Sequence, residues 1–115
     1  VHSKQPVFSC AAACHPAYND VCYLVGDDKD DSLEKVKCPQ MLLAAGNDKK
    51  DVKSGGAAEK SWSRKSFGKD CVFLTHENQK HGWVNRGDST NEQVSSGIRL
   101  AMQQLQEFFS KHLVS

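Results

Sequence analysis

Two polar residues that could act together in catalysis each follow an apolar segment of the sequence. Asp48 closes a Gly-Asn-Asp sequence directly after residues 41–45, and His81 opens a His-Gly-Trp sequence shortly after residues 72–77. Short apolar runs bounded in this way are typical of buried β-strands. A carboxylate and an imidazole at the ends of successive strands are how an α/β fold presents the acid and the histidine of a nucleophile–His–Asp triad. The sequence therefore predicts that Asp48 and His81 meet at one edge of a sheet.

The nucleophile of such a triad has no matching motif in this sequence. It would be a Ser or Cys on a tight strand-to-helix turn between glycines, ahead of the acid in chain order. Neither Gly-x-Ser-x-Gly nor Gly-x-Cys-x-Gly occurs in the 115 residues. A triad that includes these two residues would therefore need its nucleophile on another segment.

The composition is that of one ordinary globular domain. With 38% hydrophobic and 25% charged residues, the chain has enough apolar material for one small core. The formal net charge of +1 gives no general attraction to nucleic acid, and the apolar runs are far too short to span a bilayer. We therefore expect no nucleic-acid partner and no membrane partner.

The five cysteines do not form the paired spacing of a metal or redox motif. No Cys-x-x-Cys pair occurs and the number is odd, which favours a reduced, cytoplasmic chain. A zinc site made by Cys14, His15 and Cys22 is the sharper alternative, but it lacks the paired short spacings of structural zinc sites. We expect neither a metal nor another cofactor.

Three apolar segments predict the sheet of an α/β fold. The strands are expected at residues 7–13, 40–45 and 71–76. Between the first two we expect a loop over residues 18–31 and one helical turn over 32–36, and between the last two a helix over 57–67 that stops near Gly68. Strands joined by such crossovers run parallel.

The last part of the chain predicts a long amphipathic helix that packs on the core. Apolar residues recur there at three- and four-residue spacing: Val94, Ile98, Ala101, Met102, Leu105, Phe108, Phe109 and Leu113. A capping box is expected at its start, formed by Thr90 with Gln93 or by Ser89 with Glu92.

These predicted helices are too few to cover a parallel sheet on both faces. One face and one edge would then be exposed, and such a surface requires the missing N-terminal segment, another partner or a second copy of the chain. The alternative function is therefore a non-catalytic α/β module that binds a partner or self-associates through its uncovered sheet face.

From about residue 7 to residue 113 the sequence resembles the C-terminal portion of the dienelactone hydrolase family, the carboxymethylenebutenolidase-like enzymes, and particularly its eukaryotic branch. The matching features are a strand ending in His15-Pro16, the Cys38-Pro39 strand entry, Gly46-Asn47-Asp48, residues 81–88 and the closing helix. The resemblance implies the C-terminal part of an α/β-hydrolase fold, a small ester or lactone as substrate, and a nucleophilic Cys upstream of the His-Pro strand. It therefore also implies that the 115 residues are part of a hydrolase and are inactive without the segment that carries this Cys.

The resemblance also implies roles for individual residues. His81 would be the general base, and Asp48 would hold its tautomer and stabilise the imidazolium. Arg86 would bind a substrate carboxylate by a bidentate contact. Trp83 would be either a wall of the pocket or a part of the core.

Three further residues compete for roles at the predicted site. Asp51 is an alternative to Asp48 as the acid, although the Gly-Asn-Asp placement favours Asp48. His15 ends the first strand and either faces the pocket or forms a turn with Pro16. His76 lies inside the third strand and is assigned no chemistry.

Overall fold

A parallel sheet forms the centre of the chain. The computed structural model describes residues 8–17, 26 and 28–113. Within them, β1 (Ala11–Cys14), β2 (Gln40–Ala45) and β3 (Val72–His76) form a three-stranded parallel sheet in the order β1-β2-β3. The helices are α1 (Lys29–Glu34), α2 (Ala57–Trp62), α3 (Trp83–Arg86) and α4 (Glu92–His112). The predicted α/β architecture is confirmed.

The central strand is buried on both of its faces. All six residues of β2 are buried, and from Met41 onward their side chains alternate between two apolar clusters. Met41, Leu43 and Ala45 pack on the side covered by α4. Leu42 and Ala44 pack on the other side, against residues of α1 and α2. This strand can therefore present polar groups only beyond its carboxyl end.

The second of these clusters shows that the expectation of an uncovered sheet face is wrong at β2. Helix α1 begins at Lys29, inside the segment predicted as a loop, because Asp28 caps it by accepting the Asp31 backbone N–H at 2.9 Å. Leu33 of this helix is buried, and its carbonyl accepts the Trp62 Nε1–H at 2.9 Å. Helices therefore lie on both faces, while the rest of the predicted loop, residues 18–25 and 27, lies outside the described residues.

Helix α2 is shorter than the predicted span of 57–67. It ends at Trp62, whose side chain is fully buried and stacks on Phe73 with 5.8 Å between ring centroids. The chain then turns, and Gly68 lies so close to the Trp62 carbonyl that a Cβ at this position would collide with it. The predicted stop at Gly68 is thus a close backbone approach after the helix has ended.

Helix α4 is the predicted amphipathic helix, with two corrections. Ala101 and Phe108 are buried against the sheet, but Met102 and Leu113 are 45% and 58% exposed and do not belong to the packed face. Its start is capped by Asn91, whose Oδ1 accepts the Val94 backbone N–H at 3.1 Å, and the Thr90 and Ser89 capping boxes do not form. Among the described residues, no helix is long and apolar enough to cross a membrane.

Candidate catalytic site

The loops that follow β2 and β3 are joined at the carboxyl edge of the sheet. The Gly46 backbone N–H donates to the Gln79 carbonyl at 3.0 Å, and the Lys53 Nζ donates to the Gly46 carbonyl at 2.8 Å. Gly46 also lies directly against the Glu77 backbone, where a Cβ would collide with the carbonyl oxygen. The glycine that precedes Asp48 is therefore required by the close approach of the two loops.

Asp48 is held in place by the end of β2. Its backbone N–H donates to the Ala45 carbonyl at 3.1 Å, and its Oδ2 accepts the Ala45 N–H at 2.8 Å. The side chain is only 5% exposed. These two hydrogen bonds to Ala45 occupy the Oδ2 oxygen and leave the other, Oδ1, directed across the edge of the sheet.

The predicted contact between Asp48 and His81 is confirmed. Asp48 Oδ1 lies 2.7 Å from His81 Nδ1, and the His81 side chain is 34% exposed. Because an ionised carboxylate only accepts hydrogen bonds, we assign the proton of the neutral ring to Nδ1. Nε2 is then the basic nitrogen, as in a nucleophile–His–Asp triad.

Asp51 is excluded as the partner of this histidine. It lies in the short 3-10 turn Lys50–Val52, whereas the ring nitrogen of His81 binds Asp48. Of the two candidate carboxylates, the Gly-Asn-Asp position is therefore the one that the fold brings to the imidazole.

His15 lies in a bend directly after β1, and its ring packs against the ring of His81. The two ring centroids are 4.9 Å apart in an edge-on arrangement, and the Trp83 ring is 5.6 Å from His15. The backbone of His15 has a φ of 41°, an uncommon value for a residue with a side chain. Its Nε2 is buried without a hydrogen-bond partner in the described part of the chain. Burial, and secondarily the charge of His81, lower the pKa of His15.

Trp83 belongs to the core and also lines a cleft beside His81. It is 2% exposed and packs in the cluster beneath α4. The cleft has a volume of about 430 Å³ and is lined by His81, Trp83 and Arg86, among others. The core alternative is therefore confirmed, and the residue borders the cleft as well.

Arg86 is exposed and folds back over the loop that carries His81. A Cβ built on Gly82 would lie 2.7 Å from the Arg86 Nε, so the guanidinium occupies the space that the glycine leaves. Gly82 itself has a φ of 93°, which glycine adopts without strain. The sequence thus brings a fixed positive charge to the cleft next to the imidazole.

His76 has a structural environment. Its Nε2 lies 2.8 Å from the Gln104 Oε1 of α4, and its ring lies 5.0 Å from the ring of Trp83. These contacts attach β3 to α4 and to the tryptophan.

The described cysteines are free and have the character of core residues. They are Cys10, Cys14, Cys38 and Cys71. Burial raises the pKa of each of these thiols, which keeps them protonated and poorly nucleophilic. Within residues 8–17, 26 and 28–113, no three His, Cys, Asp or Glu side chains are placed to hold a metal ion. Cys22, the third member of the alternative zinc site, lies outside the described residues.

Sequence reasoning gave no role to Asn47, although the structure places it at the site. The Asn47 Oδ1 accepts the backbone N–H of His81 at 2.8 Å. The only signal in the sequence is its position between the close-packed Gly46 and the acid Asp48.

Comparisons with known proteins leave the site to be interpreted from its own geometry. No protein-family model matches the chain, and no curated protein and no solved structure has significant similarity to it.

Proposed function

We propose that this chain supplies the acid and the histidine of a Cys(or Ser)–His–Asp triad in a carboxylic-ester or lactone hydrolase of the dienelactone hydrolase type. The observation that carries the proposal is the 2.7 Å contact between Asp48 Oδ1 and His81 Nδ1 at the carboxyl edge of a parallel sheet. The acid follows one strand and the histidine the next, which is the chain order of an α/β hydrolase.

The proposed chemistry uses the free nitrogen of His81. Nε2 takes the proton of the nucleophilic thiol or hydroxyl while the sulfur or oxygen attacks the ester carbonyl. Asp48 stabilises the resulting imidazolium through Nδ1–H, and the imidazolium then protonates the leaving alkoxide. Water, deprotonated by the same nitrogen, hydrolyses the acyl-enzyme.

The nucleophile in this proposal lies outside the described residues. The four cysteines that the structure describes are free but have a pKa raised by burial. Such thiols are the opposite of an activated nucleophile, whose pKa is lowered by a neighbouring base or charge. A separate elbow segment fits the absence of a Gly-x-Ser/Cys-x-Gly motif.

The proposed substrate is a small ester or lactone that carries a negative charge. Arg86 lies in the same cleft as His81, and its guanidinium can bind a carboxylate through two parallel hydrogen bonds. Trp83, which packs in the core and lines this cleft, would form a rigid wall for the substrate.

The test measures hydrolysis of an activated ester and of a simple lactone by this chain and by the longest protein that its gene encodes. We expect turnover only where a nucleophile is present, and a fall of about 10⁴-fold in kcat for His81→Ala and for Asp48→Asn. The control is Asn85→Ala, which removes an exposed side chain of α3.

Two results would contradict the proposal. One is turnover by the longer protein that His81→Ala does not reduce. The other is His81-dependent turnover by the chain alone, which would place the nucleophile within it and direct attention to Cys14 and Cys22.

The alternative function, a non-catalytic module that binds a partner or a second copy, is favoured by the edge of β1 and by neighbouring Phe8. Within the described residues β1 pairs only with β2, and Phe8 is 67% exposed. An edge strand of this kind can pair with another chain. We expect the chain to self-associate in sedimentation at low micromolar concentration, and a stable monomer would contradict self-association.

A further inference from the structure

Asn47 and Asp48 bind the same histidine at two different points. The Asn47 Oδ1 accepts the backbone N–H of His81 at 2.8 Å, and the Asp48 Oδ1 lies 2.7 Å from its ring Nδ1. Two neighbouring side chains on one loop thus contact the main chain and the side chain of one residue on the other loop.

The contact from Asn47 is not a packing contact. Asn47 is exposed, and it belongs to neither of the two apolar clusters. Removing its amide therefore opens no cavity in the core. What it removes is a hydrogen bond that ends on the main chain of the candidate base.

Two points of attachment restrict the imidazole more than one does. The ring hydrogen bond fixes the distance between Asp48 and Nδ1 but leaves the backbone of His81 free to shift. The Asn47 Oδ1 fixes the backbone end by accepting the His81 N–H, and the ring is then oriented by its contacts with Asp48 and His15.

We propose that Asn47 is a positioning residue that orients the imidazole of His81 toward Asp48; its value for catalysis rests on the function proposed above. It holds the histidine main chain in register with the carboxylate, so that Nδ1 meets Asp48 and Nε2 points away from it. Productive geometry of this kind is sensitive, since a misplacement of about 1 Å can reduce a rate about 10²-fold.

An amide is suited to this position because it accepts a hydrogen bond without adding a charge. An Asp at this position would keep an acceptor oxygen in the same place, but it would set a second carboxylate next to Asp48. Asn47→Asp is therefore the conservative variant, and Asn47→Ala the variant that removes the contact. Asn47→Ser keeps a small polar side chain that is too short to make it.

The first measurement is the ring tautomer of His81 in the ¹⁵N-labelled chain, read from long-range ¹H–¹⁵N spectra at alkaline pH. We expect the Nδ1–H tautomer in the unmodified chain. Asn47→Ala and Asn47→Ser should show a mixture with the Nε2–H tautomer, and their His81 backbone amide should exchange with solvent about fivefold faster. Asn47→Asp should restore both signals.

The matched control is Asn85→Ala, an exposed asparagine on α3 close to His81 in sequence, which should change neither signal. Circular dichroism identifies any variant that fails to fold. If Asn47→Ala does not fold, the tautomer and the exchange rate are measured on Asn47→Ser instead. An unchanged tautomer and an unchanged exchange rate in a folded Asn47 variant would overturn the proposal.

A kinetic readout separates this proposal from the proposed function. In any protein containing this chain that hydrolyses esters, Asn47→Ala should lower kcat by about 10- to 100-fold with KM changed less than twofold, and Asn47→Asp should recover most of the rate. An equal change in kcat for Asn85→Ala would overturn the positioning role. If no protein containing the chain hydrolyses esters, the proposed function fails, while the tautomer measurement still decides whether Asn47 positions His81.

Discussion

Two carboxylates join separate elements of this chain, and they differ in burial and in the number of their partners. Asp48 is 5% exposed at its side chain, with one oxygen bound to the end of β2 and the other to the ring of His81. Glu34, at the end of α1, is 47% exposed. Its side chain is shared by several partners on and after α2: Ser61, Arg64 and Lys65.

The difference shows which kind of acid can define an orientation. Glu34 divides its two oxygens among a buried hydroxyl, a half-buried lysine and an exposed arginine, and the exposed Arg64–Glu34 ion pair contributes little to stability. The Ser61 hydroxyl, followed by the charges of Lys65 and Arg64, lowers the pKa of Glu34. Asp48 has fixed partners and one geometry. Glu34 therefore holds α1 and α2 together, whereas Asp48 orients the imidazole ring of His81.

The largest loss of stability is expected from placing a methyl group between the two loops that carry Asp48 and His81. Gly46→Ala would place a Cβ against the Glu77 carbonyl, and the loops would have to separate. We expect a loss of about 3 kcal/mol in the free energy of unfolding, measured by urea titration. Gly55→Ala is the control, because Gly55 has a φ of 83° but nothing within 4 Å of an added Cβ, so only about 1 kcal/mol of backbone strain is expected. Equal losses would contradict a close-packed loop pair.

A smaller loss is expected when the acid of the pair is neutralised. Asp48→Asn replaces a charged acceptor of the His81 ring and of the Ala45 N–H by an amide. We expect about 2 kcal/mol of destabilisation, since hydrogen bonds to charged groups are worth about 1.5–3 kcal/mol. The unfolding free energy in urea measures it at neutral pH. A change no larger than that of Glu34→Gln would remove the distinction between the two carboxylates.

The third prediction concerns the pH dependence that His15 confers. Burial lowers its pKa from the ordinary 6.5, so between the folded and unfolded pKa values the unfolded chain binds more protons. This contribution to stability is present above pH 6.5 and is lost as the pH falls below it. His15→Asn keeps a residue that tolerates positive φ and should make stability decline less steeply between pH 7 and pH 5. Thermal unfolding midpoints across this range test it, and an unchanged slope would contradict it.

The smallest effect is expected from Glu34→Gln. The carboxylate is exposed, so the unfolding midpoint should move less than in Asp48→Asn and the difference should shrink further in high salt. Because the pKa of Glu34 is lowered, its contribution exists above the unfolded pKa and is lost as the pH falls through the folded one. Chemical unfolding at low and high salt measures both. A salt-independent loss would show that this cluster is more ordered than its exposure indicates.

The sequence predicted the parts of this fold that depend on apolar runs and their ends. β2 and β3 follow from such runs, and Asp48 and His81 follow from the polar residues that close them. The start of α1 was mistaken for a loop, because the segment has almost no apolar period and its cap, Asp28, looks like one more solvated acid. The uncovered face was inferred from that error.

Other features of the structure depend on contacts between residues that are far apart in sequence, and no local sequence pattern predicts such contacts. Asn47 reaches His81 across 34 residues of sequence, and only the sheet register brings them together. The positive φ of His15 and the end of α2 at Trp62 depend on tertiary contacts in the same way. Asn91 caps α4 because the chain enters the helix two residues later than the predicted Ser89 box required.

The hydrogen bonds between the loops after β2 and β3 also determine where the chain can accept an insertion. Asp48 and His81 are 33 residues apart in sequence, yet Asp48 is anchored to the end of β2, and His81 is held by Asn47 and Asp48. The segment between them can therefore be lengthened without moving either residue, provided the insertion is made where the chain is exposed. Residues 54–55 are the best such position: both are exposed, Gly55 borders open space, and their hydrogen bonds go to Glu59 of α2, away from Asp48 and His81. A reporter peptide or a small domain inserted there would leave the acid and the base in place.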